Sequence, residues 1–487
     1  MITGTAAAPP LSDWRMTRRL LSTLALLALC AACAAPAPPA APLADLVGTY
    51  EGDHGGVLEI VLGYELFAVQ DEAKYMLRPD GADQVRTSFG QAIRFPRDAR
   101  GRVVGYEQDG QLHRRLADTI APLSAALARA RPAGAGTDDR YRVPVDQHDG
   151  IAVGDIARSD LGPGVAQRIV RGVLDGTWRD VHGVLLYQRG HLVMEEYFYG
   201  YDGARTHQLR SATKSVVATL AGLAIDRGAL PDDAVAVLPR LPYASVAHPD
   251  PRKATITLGQ FLSMSSGLAC NDHSDTSPGR EEVIDETPDW VKATLDLPQI
   301  ADPGTQATYC SGGVAVVGRT VEDAVHAALP EFAQATLFGP LGIARGDWAW
   351  NYDLSSANRE YAQIHLRPRD MLKLGLLYAD DGVWQGRRVL SSAWVHTALA
   401  EHSHVDNTGY GYFWWRPWMD VDTPAGPQRV QLIAAQGNGG QKIYLVPQLE
   451  LVAVFTAGAY NSGTAPPNRI MQGVILPALL AARATPR

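Results

Sequence analysis

The chain has 487 residues, 46% of them hydrophobic, and a formal net charge of -8 from 44 basic and 52 acidic side chains. A chain this long and this apolar is expected to hold a large domain with something smaller beside it, and general disorder is excluded. No basic block stands out, which argues against a nucleic acid as partner.

The first forty residues read as a targeting segment rather than as fold. Met16-Thr-Arg-Arg supplies positive charge, and Leu20 to Cys30 is an apolar run too short to span a membrane comfortably. Small residues follow, so residues 1–33 are expected to be an export signal. Cys33 after Ala31-Ala32 resembles a bacterial lipoprotein cleavage site, although Cys30 stands where leucine is usual. A lipid anchor on Cys33 and a simply cleaved signal are the two alternatives, and the expected location is the periplasm or the outer membrane. Residues 34–42 are rich in Ala and Pro and read as a tether. The exported part keeps two cysteines, Cys270 and Cys310. In an oxidising compartment such a pair is a disulfide candidate, the alternative being two free buried thiols.

From residue 43 to about 118 the pattern is short strands and turns. Thr49-Tyr50-Glu51, Val57-Leu-Glu-Ile-Val-Leu-Gly, Leu66-Phe-Ala-Val and Ala92-Ile-Arg-Phe are separated by Gly- and Asp-rich punctuation. The expectation is a small antiparallel sheet or barrel, similar to a lipocalin-like β-domain. It holds no catalytic constellation, so it is expected to be dispensable for the chemistry. Residues 119–140 read as a linker, with a short helix near Ala121 to Ala130.

Residues 141–487 mix strands and helices. Val165 to Leu174 is helix-like, and Gly183-Val-Leu-Leu-Tyr-Gln and His191-Leu-Val-Met-Glu-Glu-Tyr-Phe flank a short polar turn and predict a hairpin. Ile256 begins a helix expected to end at Gly267. Lys442-Ile-Tyr-Leu-Val and Leu451-Val-Ala-Val-Phe-Thr are β-rich. The order of hairpin, helical bulk and C-terminal strands predicts one sheet made from both chain ends and covered by helices, an α+β fold.

Three stretches carry chemistry. In Ser211-Ala212-Thr213-Lys214 the serine and lysine lie three apart, on one face of a helix. The lysine can then activate the hydroxyl, given a pKa lowered by burial and nearby positive charge. Val216, Val217, Leu220, Leu223 and Ala224 continue the helix, and Gly228 is a natural stop. The second stretch is Tyr309-Cys310-Ser311-Gly-Gly, where a tyrosine with a pKa lowered by a lysine can accept and return a proton. The third is Ala435-Gln436-Gly437-Asn438-Gly439-Gly440, whose glycines admit close backbone approach and whose N–H groups can serve an oxyanion.

In this order and at these separations the three boxes resemble the penicillin-binding, class C β-lactamase-like serine hydrolase family, over about residues 145–485. Leu262-Ser-Met-Ser-Ser-Gly-Leu and Gly375-Leu-Leu-Tyr-Ala-Asp-Asp-Gly-Val-Trp are similar to family text as well. The resemblance implies that family's antiparallel sheet flanked by helices, here preceded by the small all-β domain. It implies Ser211 as the acylated nucleophile, Lys214 as its base and Tyr309 as the relay to the leaving group. The N–H groups of Ser211 and Asn438 would form the oxyanion hole, with Ser311, Gln436 and Gly437 against the substrate. Ser311 stands where asparagine is commoner. The third box departs further: β-lactam-binding members usually carry Lys or His two residues before the glycine, and here that position is Ala435. This points toward the esterases and amide-oligomer hydrolases of the family. The substrate expected is a small ester or amide, with neither cofactor nor metal implied. The alternatives are a slow-turnover covalent sensor or wall-binding protein, or a true β-lactamase or D-alanyl peptidase. His402-Ser-His404 reads as a solvated loop. Trp348, Trp350, Trp414 and Trp415 read as core, with an acyl pocket as the alternative.

Overall fold

Strands with one face inward close on themselves in the first part of the chain. β1 (Gly48–Glu51), β2 (Val57–Leu62), β3 (Leu66–Gln70), β4 (Ala73–Pro79), β5 (Gln84–Arg86), β6 (Ala92–Arg94), β7 (Gly105–Gln108) and β8 (Gln111–Ala117) follow one another round a closed barrel, with β8 returning to β1. Tyr50, Ile60, Leu66, Val85, Phe95 and Tyr106 fill its interior. The computed structural model describes residues 43–484 apart from 53–55, 71, 88–89, 109, 133–140, 351–362, 425 and 464. The export segment, Cys33 and the Ala/Pro tether lie outside the described residues. A short helix, Pro122–Leu127, follows the barrel.

The second body is an eight-stranded antiparallel sheet. In spatial order its strands are His191–Tyr197, Val181–Gln188, Leu451–Ala457, Gln441–Val446, Ile433–Gly437, Trp415–Arg416, Thr408–Tyr410 and Ser403–Val405. The hairpin thus pairs with the C-terminal strands, as the element order predicts. Side chains alternate between two cores: Ala435, Ile443 and Leu445 face one, while Ala434, Tyr444 and Val446 face the other. Helices Thr213–Asp226, Gly312–Val325 and Pro368–Ala379 build the first core. Pro163–Leu174 and Leu476–Ala484 cover the opposite face.

The helix expected from Ile256 to Gly267 is shorter. Thr257 and Gln260 form a reciprocal capping box that starts Leu258–Leu262, a device worth about 1 kcal/mol. The helix stops there because Ser263 Oγ donates to the Gly259 carbonyl (2.8 Å) and Met264 takes a positive φ of 60°.

The described residues belong to one compact unit, in which the barrel packs on the sheet-and-helix body. The buried Lys74 of β4 donates to Asp180 at 2.5 Å and to the Leu127 carbonyl at 2.9 Å. Removing one partner of such a buried pair costs roughly 3–5 kcal/mol. Beside it, Glu72 accepts from Arg205 (2.8 Å) and from the Tyr201 hydroxyl (3.2 Å). Among the described residues no helix is long and apolar enough to cross a membrane.

Candidate active site

Helix Thr213–Asp226 is buried on every side over most of its length, from Thr213 to Ala224. A helix apolar all round belongs in the middle of a core, so its N-terminus is a fixed point. Ser211 sits just before it, in the 3₁₀ turn Arg210–Ala212. Leu209 N–H donates to the Ile364 carbonyl (2.8 Å), Ile364 N–H donates to Thr213 Oγ1 (3.2 Å), and Ser215 Oγ donates to the Phe413 carbonyl (2.6 Å). Lys214 Nζ donates to Ser211 Oγ at 3.1 Å. Gly228 ends the helix region with φ 73°.

The Tyr309 loop reaches the same point. The Lys214 ammonium lies 5.1 Å from the centre of the Tyr309 ring, and the Tyr309 side chain is within electrostatic reach of both Ser211 and Lys214. Asp272 brackets this loop: its N–H donates to the Tyr309 carbonyl (2.8 Å), and its Oδ2 accepts from the Ser311 N–H (2.8 Å). Cys270 and Cys310 are joined in a disulfide across a sequence separation of 40, so the loop is tied covalently beside Tyr309. Ser311 itself caps helix Gly312–Val325 with helical backbone.

The third box arrives on the strand Ile433–Gly437. Gly437 is required by contact: a Cβ there would lie 2.0 Å from the Leu209 carbonyl oxygen. The strand end therefore abuts the turn that carries Ser211. Asn438 follows at that point, its side chain paired with Asn461. Gln436 accepts through Oε1 from Lys442 on the neighbouring strand, so its carbonyl oxygen is engaged by the protein. Ala435 is fully buried in the core around the Ser211 helix. Ser211, Lys214 and Tyr309 are thus brought together, with Gly437 and Asn438 adjoining the Ser211 turn and Ser311 held against Asp272.

Charge in the site differs from the expectation of a lysine lowered by burial and positive neighbours. Burial does pull Lys214 down, but Tyr309, Glu281 and Asp272 outweigh it and hold its ammonium above the ordinary value. The neighbours are acidic rather than basic. Burial likewise lifts Tyr309 above a free phenol, with Lys214 pulling the other way. Asp272 is pushed up to about 6 by burial and by Glu281, against the pull of Lys214. Asp272 and Glu281 carry no motif, and the only sequence signal for Asp272 is its place two residues after Cys270.

Aromatic rings hold Tyr309 from two directions. His273 stacks on it with ring centres 5.1 Å apart, and Trp415 stacks at 5.5 Å. His273 is tied in turn to Asp406 at 2.5 Å. Of the four tryptophans weighed from sequence, Trp415 belongs to the site, while Trp414 is core beside Tyr378 and Trp348 packs on Phe338. His402 stacks on Tyr412, and His404 pairs with Glu401. No group of side chains suited to a metal ion occurs among the described residues.

A Ser–Lys–Tyr cluster at the head of a central helix, beside the end of an inner strand of an antiparallel sheet and its glycine loop, is an arrangement of the penicillin-binding type. Comparison with known proteins agrees, since the family model described as Beta-lactamase matches residues 163–470, more than half of the chain. The chain belongs to that family. It is 30% identical over 272 residues to penicillin-binding protein 4 of Amycolatopsis lactamdurans, covering 48% of this chain and 69% of the relative. It is 24% identical over 322 residues to the 6-aminohexanoate-dimer hydrolase of Paenarthrobacter ureafaciens, covering 62% and 78%. A penicillin-binding protein homologue from Caulobacter crescentus shares the fold with TM-score 0.51 and 17% identity, covering 70% of this chain and all (100%) of that one.

Proposed function

We propose that the protein is an exported serine hydrolase that cleaves neutral esters or amides through an acyl-enzyme on Ser211. The observation that carries this reading is the 3.1 Å contact between Lys214 Nζ and Ser211 Oγ inside the Tyr309 cluster. Ser211 Oγ attacks the carbonyl carbon, and its proton passes into the Lys214–Tyr309 pair. The N–H groups of Ser211 and Asn438 receive the oxyanion. Tyr309 returns the proton to the leaving alkoxide or amine, and water then releases the acid by the reverse path. Because Glu281 and Asp272 favour the ammonium of Lys214, the reactive form is the pair with one proton removed, and its titration belongs to both residues together.

Substrate charge follows from what surrounds the third box. A β-lactam or a D-alanyl peptide places a carboxylate near the scissile carbonyl, and burying it unpaired costs several kcal/mol. Ala435 offers no charge. Arg210 and Arg416, the arginines that could supply a charge instead, are engaged elsewhere: Arg210 stacks on Tyr75 and Tyr460, and Arg416 donates to the Leu399 carbonyl and to Gln431. The likeness to the 6-aminohexanoate-dimer hydrolase supports an amide or ester substrate. Export rests on the N-terminal segment, with a lipid on Cys33 as its anchored form.

Ser211→Ala should abolish labelling by a fluorophosphonate probe while the protein stays folded, and labelling of the mutant would place the nucleophile elsewhere. Wild-type protein should turn over p-nitrophenyl butyrate at least about a hundredfold more efficiently than nitrocefin, a difference of roughly 2.7 kcal/mol in transition-state binding. Comparable efficiencies would overturn the neutral-substrate reading. A single stoichiometric burst with no further turnover would mark a covalent sensor instead.

A further inference from the structure

The turn that carries Ser211 and the loop that carries Asn438 are both held by one residue of the barrel. Tyr75 of β4 bridges Tyr460 through the backbone, and the two rings lie 5.7 Å apart. The Tyr75 hydroxyl also accepts a hydrogen bond from Arg210, the residue immediately before Ser211. The Arg210 guanidinium covers both rings, 5.6 Å from the centre of Tyr75 and 5.2 Å from that of Tyr460. Arg210 has φ 51°, in the left-handed region that a long side chain enters only when its surroundings hold it there.

On the other arm, Tyr460 sits between two residues that pin the glycine loop. Asn461 N–H donates to Asn438 Oδ1 at 3.2 Å, and Ala459 bridges Gly439. Gln441, just past that loop, donates to the Tyr460 hydroxyl at 3.3 Å. The arms meet at Gly437, where a Cβ would lie 3.1 Å from the Arg210 Cβ. One ring therefore fixes two chain segments, each carrying one of the N–H groups assigned to the oxyanion.

We propose that Tyr75 is a positioning residue for the oxyanion hole, so that the barrel completes the active site. This rests on the Ser211 acyl-enzyme reading. Oxyanion donors act only when they point at the place where charge develops, and a misplacement of about 1 Å can lower the rate about a hundredfold. On this proposal the barrel contributes to catalysis, against the expectation from sequence that it is dispensable.

The test uses the full chain with Tyr75→Phe and Tyr75→Leu, and with Leu112→Ala, an exposed residue of β8, as control. kcat and KM for p-nitrophenyl butyrate, the inhibition constant of butylboronic acid and Tm are measured for each. Removing the hydroxyl alone should lower kcat by about three- to tenfold, and removing the ring by about thirty- to a hundredfold. KM should stay within about threefold, because the substrate ground state does not use the oxyanion donors. Affinity for the boronate, which forms a tetrahedral anion on serine, should fall in parallel with kcat/KM, a response that lost stability alone does not produce. The proposal is overturned if kcat and boronate affinity of a folded Tyr75 variant stay within about twofold of wild type. If Tyr75→Leu fails to fold, Tyr75→Phe decides. Turnover that survives Ser211→Ala sinks both readings, whereas turnover that needs Ser211 and ignores Tyr75 sinks this one alone.

Discussion

Glu281→Gln isolates the charge that governs the lysine. Glu281 opens the helix Glu281–Asp285 and is half-buried. It acts on Lys214, Tyr309 and Asp272 through charge, raising each. Glutamine keeps the shape and removes the charge. A unit charge coupled through a protein-like effective dielectric contributes roughly 1–2 kcal/mol, or about one pKa unit. The sign is fixed: a negative neighbour favours the fully protonated Lys214–Tyr309 pair, so removing it makes the proton whose loss gives the reactive form easier to lose. The rising limb of kcat/KM against pH, followed with a neutral ester that does not itself ionise, should move down by about one unit. Activity near neutrality should rise with it. Any acidic limb from Asp272 should also move down, because the same carboxylate lifts that group. Glu282→Gln, at the more exposed neighbouring position, should leave the profile in place. A Glu281→Gln profile that coincides with wild type, or one that loses activity equally at every pH, would refute the electrostatic account of Lys214.

Lys442 is buried against the sheet's outer core, and burial pushes its ammonium down to about 7. The unfolded chain binds more protons between that value and the ordinary one, so stability should rise with pH across the interval, and the penalty of about 4–5 kcal/mol is full below it. Lys442→Met should therefore raise Tm clearly at pH 6 and little at pH 10. Equal gains at both would mean that packing, not charge, is responsible. The Cys270–Cys310 bridge should contribute about 4 kcal/mol by closing its loop. Alkylation without reductant should add no mass at either cysteine, and reduction should lower kcat as well as Tm, since the bridge ends beside Tyr309. Two alkylated thiols in the untreated protein would count against it.

What the sequence discloses depends on how local the signal is. The Ser211 box, the hairpin Val181–Gln188 with His191–Tyr197 and the C-terminal strands are legible because apolar period and turn residues sit within one short window. The barrel is only half legible. β8 reads Gln-Leu-His-Arg-Arg-Leu-Ala and buries a single side chain, His113, so its alternation carries almost no apolar contrast. The helix from Ile256 is shorter than its pattern: Ser263 and Met264 give no breaker signal, yet a side-chain hydrogen bond and a left-handed backbone end it. The shift of Lys214 runs upward rather than downward because the groups that outweigh burial, Tyr309, Glu281 and Asp272, lie about sixty to a hundred residues away along the chain and join it only in space. The same holds for His273 and Trp415, which stack on Tyr309 from separate segments.

Domain boundaries show the same limit from the other side. The barrel interior is a cluster of its own, while Val61, Phe67 and Val69 on the outside of its strands pack into the core on the far face of the sheet. Cores, however, report where apolar surface is buried, whereas a catalytic site is defined by where polar atoms converge. Lys74, Glu72 and Tyr75 lie within four consecutive positions at the start of β4, and all three point their polar atoms into the sheet body. A strand that serves its own barrel with Leu77 and the Tyr75 ring thus serves the neighbouring body with Lys74 and the Tyr75 hydroxyl. Such double use leaves no trace in periodicity, because both faces of the strand are occupied and neither is free to look polar. The boxes within residues 145–485 supply Ser211 and Lys214, whereas the ring against Arg210 of the preceding turn comes from the barrel.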